Sequence, residues 1–187
     1  MLQFKLYLQS LGLTQKEIDL FSSIFTDEIV LEKGDFFIKS HEISKTIGFI
    51  IYGMCRFYYD TENGDITRWV CLENDFVVSL SSFISQEPTI ENIQAIKPTK
   101  ILITTKEKFD DLYRKQEFVK NMWIKQIEHN YIGMENRVFN LIAMTAEERY
   151  NWMLKYQPKF NLQVPDKYIA SMLGINPRHL SRIRGNK

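Results

Sequence analysis

The residues best equipped to do chemistry stand near the C-terminus. Arg178 and Arg182 are one helical turn apart in the stretch Asn176-Pro-Arg-His-Leu-Ser-Arg-Ile-Arg. Two guanidinium forks on one exposed helix face suit a base edge such as O6 and N7 of guanine, which takes a bidentate donor. Ser181 shares that face. His179 and Arg184 lie nearer its sides, and Lys167 and Tyr168 open the preceding helix. At those places phosphate oxygens are the expected acceptors.

Such a face works only on a rigid support, and Asp166 to Ile183 supplies the pattern of a helix-turn-helix. Asp166 is expected to cap a first helix whose inward side is Ile169, Ala170 and Leu173. Ala170 is small where two helices must cross closely. Gly174 stands at the sharp turn, where a positive φ is cheap only for glycine, and Ile175 is read as the plug of the corner. Asn176-Pro177 is a helix start, a capping amide followed by a residue with φ already fixed. Leu180 and Ile183 then bury the second helix against the first.

The charge distribution agrees. From Lys159 to Lys187 there are six basic residues and one acidic, a net of +5, so the rest of the chain carries −4 of the total +1. A basic end on an acidic body points to a polyanionic partner for that end alone.

Other reactive groups form no constellation. Cys55 and Cys71 are too far apart for a zinc or iron–sulfur spacing, and a reduced buried pair is expected. A redox disulfide would require their strands to be neighbours. His41, His129 and His179 are isolated, so no haem ligand is read among them. No Ser/His/Asp set and no metal-spaced cluster appears, and neither enzymatic activity nor a cofactor is expected. No apolar run reaches membrane-spanning length. The N-terminus lacks the basic start and apolar core of a secretory signal, which makes the cytoplasm the expected compartment.

Hydrophobic periodicity lays out the elements in order. Residues 1 to about 28 read as helical, with Leu6, Leu13, Ile18, Leu20, Phe21 and Ile24 at roughly helical spacing and a capping box from Thr14 to Glu17. From about Ile29 to Thr105 short β-rich runs follow: 36–38, 46–52, 54–60, 65–72, 76–80, 90–96 and 100–105. Asn63-Gly64 marks a hairpin. Helical spacing returns over 106–115 and again over 117–144. In the long helix Ile124, Ile127, Tyr131, Met134, Val138 and Leu141 recur at intervals of 3 and 4. That is the seam of a two-stranded coiled coil, and the partner it implies is a second copy of the chain. A capping box from Thr145 to Glu148 opens another helix, which Pro158 stops, and 159–164 reads as a short strand. The fold class is α+β: an antiparallel, jelly-roll-like β-roll domain over 1–115, a long dimerisation helix over 116–144, and a helix-turn-helix domain over 145–187.

This order of parts, with the motif from Val164-Pro165 through Arg184, resembles the CRP/FNR family of bacterial transcription regulators. The resemblance implies a cyclic nucleotide-binding-like roll, a homodimer, and recognition of a two-fold symmetric site in double-stranded DNA. It leaves open an unidentified small-molecule effector and RNA polymerase as further partners, and implies no membrane. Many relatives add a β-hairpin wing after the recognition helix. Here only Gly185-Asn186-Lys187 follows, so most of the wing, and its phosphate contacts, are expected to be missing.

The ligand cassette departs from the resemblance. Nucleotide-binding members carry Gly-Glu near its start and Arg-Ser or Arg-Thr about a dozen residues on. In this chain Val78 and Ser79, followed by Leu80, stand at the first place, and Glu91 and Asn92 at the second. A carboxylate where the cation should be would repel a cyclic phosphate. The expectation is a degenerate pocket with an unknown effector or none. The competing reading is a roll that binds a small molecule or protein, carrying a vestigial DNA unit.

Overall fold

The structure is a computed structural model, and it describes residues 1–185. Two helices open the chain, α1 (Leu2–Ser10) and α2 (Gln15–Ser22). Gly12, at φ 85°, breaks the helix expected to run from 1 to 28. Thr14 and Glu17 then form the reciprocal cap that starts α2. The buried face of α1 is Phe4 and Leu8, and Leu6 points to solvent.

Eight strands follow, in two four-stranded sheets. They are β1 (Asp27–Leu31), β2 (Phe36–Ile38), β3 (Thr46–Tyr52), β4 (Cys55–Tyr59), β5 (Ile66–Cys71), β6 (Phe76–Val77), β7 (Asn92–Ala95) and β8 (Thr99–Thr105). The sheet orders are β1-β8-β3-β6 and β2-β7-β4-β5, with antiparallel pairing at β1–β8, β3–β8, β3–β6, β2–β7 and β4–β7. Gly64, at φ 100°, closes the β4–β5 turn opposite Thr61.

One apolar cluster lies between the sheets, where Ile50, Val77 and Ile101 of the first meet Ile38, Cys55, Phe57, Cys71 and Ile93 of the second. A second cluster covers the other side of the first sheet, joining Ile47, Phe49 and Leu102 to Phe4, Leu8, Phe21, Phe25, Phe83, Phe109 and Val119. Because β3 and β8 are covered on both faces, their sequences read as nearly continuous apolar runs rather than alternating ones. Gly48 is required within β3, since a Cβ there would collide with the Ile101 side chain.

Sequence periodicity missed two elements in this region. Strand β1 begins on Asp27-Glu28, residues depleted in strands, and was hidden for that reason. The run expected as a strand over 76–80 ends at Val77, and the chain turns into a short helix, α3 (Leu80–Ser85). Helices α4 (Lys106–Lys115) and α5 (Glu117–Ala143) follow. The contacts divide the chain into two units, Met1–Asp65 with Trp69–Trp123 and Ile66–Arg68 with Ile124–Lys187. The start of α5 belongs to the first, where Phe118, Val119, Met122 and Trp123 join the helical core.

In the second unit Thr145 and Glu148 form the capping box of α6 (Ala146–Tyr156). Pro158 ends α6 and also occupies the first position of α7 (Pro158–Gln163), a helix where a strand was expected. Proline at N1 has no intrahelical N–H to lose, so the residue that stops one helix starts the next. Helices α8 (Asp166–Met172) and α9 (Pro177–Gly185) complete the unit. The expectation of a missing wing falls on Asn186 and Lys187, which lie outside the described residues.

Candidate nucleic-acid interface

Helices α8 and α9 are joined by a turn whose chemistry is fully accounted for. Gly174 is at φ 67°. Its N–H donates to the Ser171 carbonyl at 3.1 Å and the Ile175 N–H to the Ala170 carbonyl at 3.0 Å. This pair of bonds is a Schellman closure, which satisfies carbonyls that the end of a helix leaves open. Asn176 then caps α9, its Oδ1 accepting from the His179 N–H at 2.8 Å. Ile169, Ala170, Met172, Leu173, Leu180 and Ile183 are buried. Ile175, at the corner, is half-buried.

The opposite side of α9 is open. Arg178, Ser181 and Arg182 are exposed, and His179 is half-buried. At about 100° per residue, Arg178 and Arg182 lie roughly 40° apart around the axis. Both forks therefore face the same way, and neither makes an ion pair among the described residues. Lys167 is exposed at the start of α8, with its ammonium 4.7 Å from the ring centre of half-buried Tyr168.

Arg184 is placed differently from the sequence expectation. Its Nη1 meets Asp166 Oδ2 at 2.6 Å, its Nε donates to Tyr150 Oη at 3.0 Å, and its Nη2 donates to Asn161 Oδ1 at 2.8 Å. The fork read as a phosphate contact is held by partners from α6, α7 and α8. The same ion pair explains why Asp166 does not cap α8. Pro165 is the N-cap residue there, and the Asp166 carboxylate turns to the arginine. Tyr150 and Asn161 were invisible to sequence reasoning because nothing in their local spacing marks a partner so far along the chain.

On α5 five of the six seam positions are exposed. Ile124, Tyr131, Met134, Val138 and Leu141 are exposed and Ile127 is half-buried. Ile132, Phe139 and Ile142 are exposed as well, so the bare apolar stripe is wider than a strict two-position seam. Shallow hollows open along it between Tyr131, Met134, Val138 and Phe139.

In the roll, the residues at the cassette positions turn toward one another. Ser79 Oγ donates to Glu91 Oε1 at 2.8 Å and lies 2.8 Å from Thr89 Oγ1. Since the single Ser79 proton goes to the carboxylate, Thr89 donates to Ser79. Thr89 Oγ1 in turn accepts from the Glu91 N–H at 3.2 Å. The chain of bonds starts and ends on Glu91. All three residues are buried. Ser79 precedes α3 but makes no cap bond, because its hydroxyl is committed to Glu91. Asn92 is a structural pin: Nδ2 donates to Asp60 Oδ2 at 2.7 Å and Oδ1 accepts from the Ser40 N–H at 3.0 Å. Val78 and Leu80 are half-buried, Val78 against the helical core.

Cys55 and Cys71 are buried on neighbouring strands and are not joined in a disulfide. Burial pushes the Cys55 thiol up to about 12, so it carries essentially no thiolate at neutral pH. Among the described residues no group of three His, Cys, Asp or Glu side chains could hold a metal ion. No helix there is long and apolar enough to cross a membrane.

Residues 28–116 match the cyclic nucleotide-binding domain family. No curated protein matches the sequence. Among solved structures, FixK2 from Bradyrhizobium japonicum is similar at a TM-score of 0.73 and 16% identity, over 86% of this chain and 83% of that one. A protein assigned to the crp/fnr family of transcriptional regulators, from Eubacterium rectale, is similar at a TM-score of 0.64 and 17% identity, over 92% and 82%. The chain has the CRP/FNR fold. The c-di-GMP-responsive global regulator CLP of Xanthomonas campestris shares this CRP/FNR fold at a TM-score of 0.68 and 12% identity, over 92% of this chain and 91% of that one.

Proposed function

We propose that this protein is a cytoplasmic, homodimeric, sequence-specific DNA-binding transcription regulator whose roll does not take a cyclic nucleotide in the manner of the nucleotide-binding relatives. The observation that carries the reading is α9 itself. Its inner side is buried, its N-terminus is capped by Asn176, and its outer side presents Arg178, Ser181 and Arg182. In the major groove the two arginines would donate to guanine edges, with His179, Lys167 and Tyr168 toward phosphates. The bare stripe on α5 supports the dimer, because a second copy would cover it and set two recognition helices for a two-fold symmetric site.

The effector half of the reading rests on Glu91. A ligand phosphate entering the cassette would meet the Glu91 carboxylate, which accepts from Ser79, at the sequence position where the nucleotide-binding relatives carry an arginine. Gel-shift with genomic fragments tests the DNA half: Arg178→Ala and Arg182→Ala should each weaken binding to the fragments bound best and narrow their advantage over the rest. Tight DNA binding indifferent to both changes would move the interface elsewhere. An absence of DNA binding by the wild type would favour a roll that binds another partner.

A further inference from the structure

Arg184 joins three elements to the last turn of the candidate recognition helix, and the arrangement is closed on itself. Tyr150 Oη accepts from Arg184 Nε at 3.0 Å and donates to Asn161 Oδ1 at 3.0 Å, while the same Asn161 oxygen accepts from Arg184 Nη2 at 2.8 Å. Asp166 supplies the counter-charge at 2.6 Å. All three guanidinium nitrogens are used. The guanidinium also lies 5.7 Å from the Tyr150 ring centre.

Its place on the helix gives this cluster its leverage. Around the axis of α9, Arg184 stands about 160° from Arg182 and about 120° from Arg178 by the shorter way, on the flank where the open face meets the buried side. Leu180 and Ile183 seat the helix, but apolar contacts are non-directional and tolerate rotation about its axis. Rotation by about 20° would carry a side chain at a radius of 5–6 Å through about 2 Å. A hydrogen bond to a base edge tolerates only about 0.5 Å in donor–acceptor distance. Directional bonds from three partners to one planar fork hold a rotation that apolar packing alone leaves soft.

We propose that Arg184 is a positioning residue: with Tyr150, Asn161 and Asp166 it fixes the rotation of α9 about its own axis, and so the register of Arg178 and Arg182 against the bases. This rests on the DNA-reading function proposed for α9. The full-length wild type is first used to select a site from random-sequence duplexes. Failure to enrich any sequence defeats the functional reading itself, an outcome distinct from failure of the positioning role.

Tyr150→Phe and Asn161→Ala change no charge, and each is measured on the selected site and on random DNA, well below its own melting temperature. Each should weaken the selected site roughly three- to tenfold, as the loss of one or two hydrogen bonds implies, with random-DNA affinity and the salt slope unchanged. Arg184→Lys should lose specificity to a similar extent, because it keeps the charge and loses the fork. The proposal is overturned if both neutral variants keep the wild-type ratio of selected to random binding. It is overturned equally if Arg184→Lys binds like the wild type while Arg184→Ala weakens both DNAs and lowers the salt slope by about 1, the signature of a direct phosphate contact.

Discussion

Ser79 Oγ donates to Glu91 Oε1 at 2.8 Å, so the two residues that the family resemblance aligns with the ligand cassette are bonded to each other. A carboxylate at the place of the relatives' arginine opposes an anion where the cation would attract it. Calorimetry on the wild type should therefore show no micromolar binding of cyclic AMP or cyclic GMP. Micromolar binding of either nucleotide that disappears on changing Ser79 or Glu91 would contradict this account of the cassette.

The stripe on α5 predicts a dimer that one charge can break. Met134→Lys or Val138→Lys would place an ammonium in the middle of a buried apolar seam, where no partner compensates it. Sedimentation should show both variants shifted toward monomer, with melting behaviour of the roll unaltered. An unchanged dimer would mean that the copies meet through another surface.

Cys55 should behave as a small core residue rather than a sensor. Its thiol is pushed up to about 12 by burial, and the thiolate is the form that reacts. Native protein at pH 8 should resist alkylation at Cys55 until it is unfolded. Peroxide should also leave DNA binding unchanged. Rapid modification of the folded chain at Cys55 would show that the strand opens or that the thiol is not enclosed.

The caps on α2 and α6 give a sign for the acid response. Hydrogen bonds from the N–H and hydroxyl of Thr14 hold the Glu17 carboxyl below its ordinary value of 4.5, and Thr145 does the same for Glu148. A carboxyl lowered in the folded state contributes stability that is present above its unfolded value and lost as pH falls through the folded one. Chemical denaturation should show Glu148→Ala less stable than the wild type near neutral pH. That difference should shrink as pH is lowered from about 6 to about 3, through the carboxylate range. A gap that stays constant over this range would mean that the cap works without its charge.

Punctuation carried most of what was legible in the sequence. Asn63-Gly64, the Thr-to-Glu boxes at 14 and 145, Gly174 and Asn176-Pro177 each impose a local geometry that surrounding sequence cannot override, and each is found in place. Short apolar runs were less informative: 76–80 could equally serve strand or helix, and it divides between β6 and α3. Long-range polar partners were not legible at all. Arg184 has the composition of a phosphate contact, and only the folded chain shows Tyr150, Asn161 and Asp166 gathered on it. Thr89 likewise carries no sequence signal, yet it closes the ring between Ser79 and Glu91.

The most direct test of the central claim is selection of DNA from a random pool by the wild type, followed by affinities of Arg182→Ala on the selected and random sequences. The account predicts a two-fold symmetric sequence with half-sites about one helical turn apart. It also predicts a loss of about 1–3 kcal/mol on that site, with relaxed preference at one base of each half. A pool that converges on no sequence, or an Arg182→Ala loss equal on selected and random DNA, would contradict it.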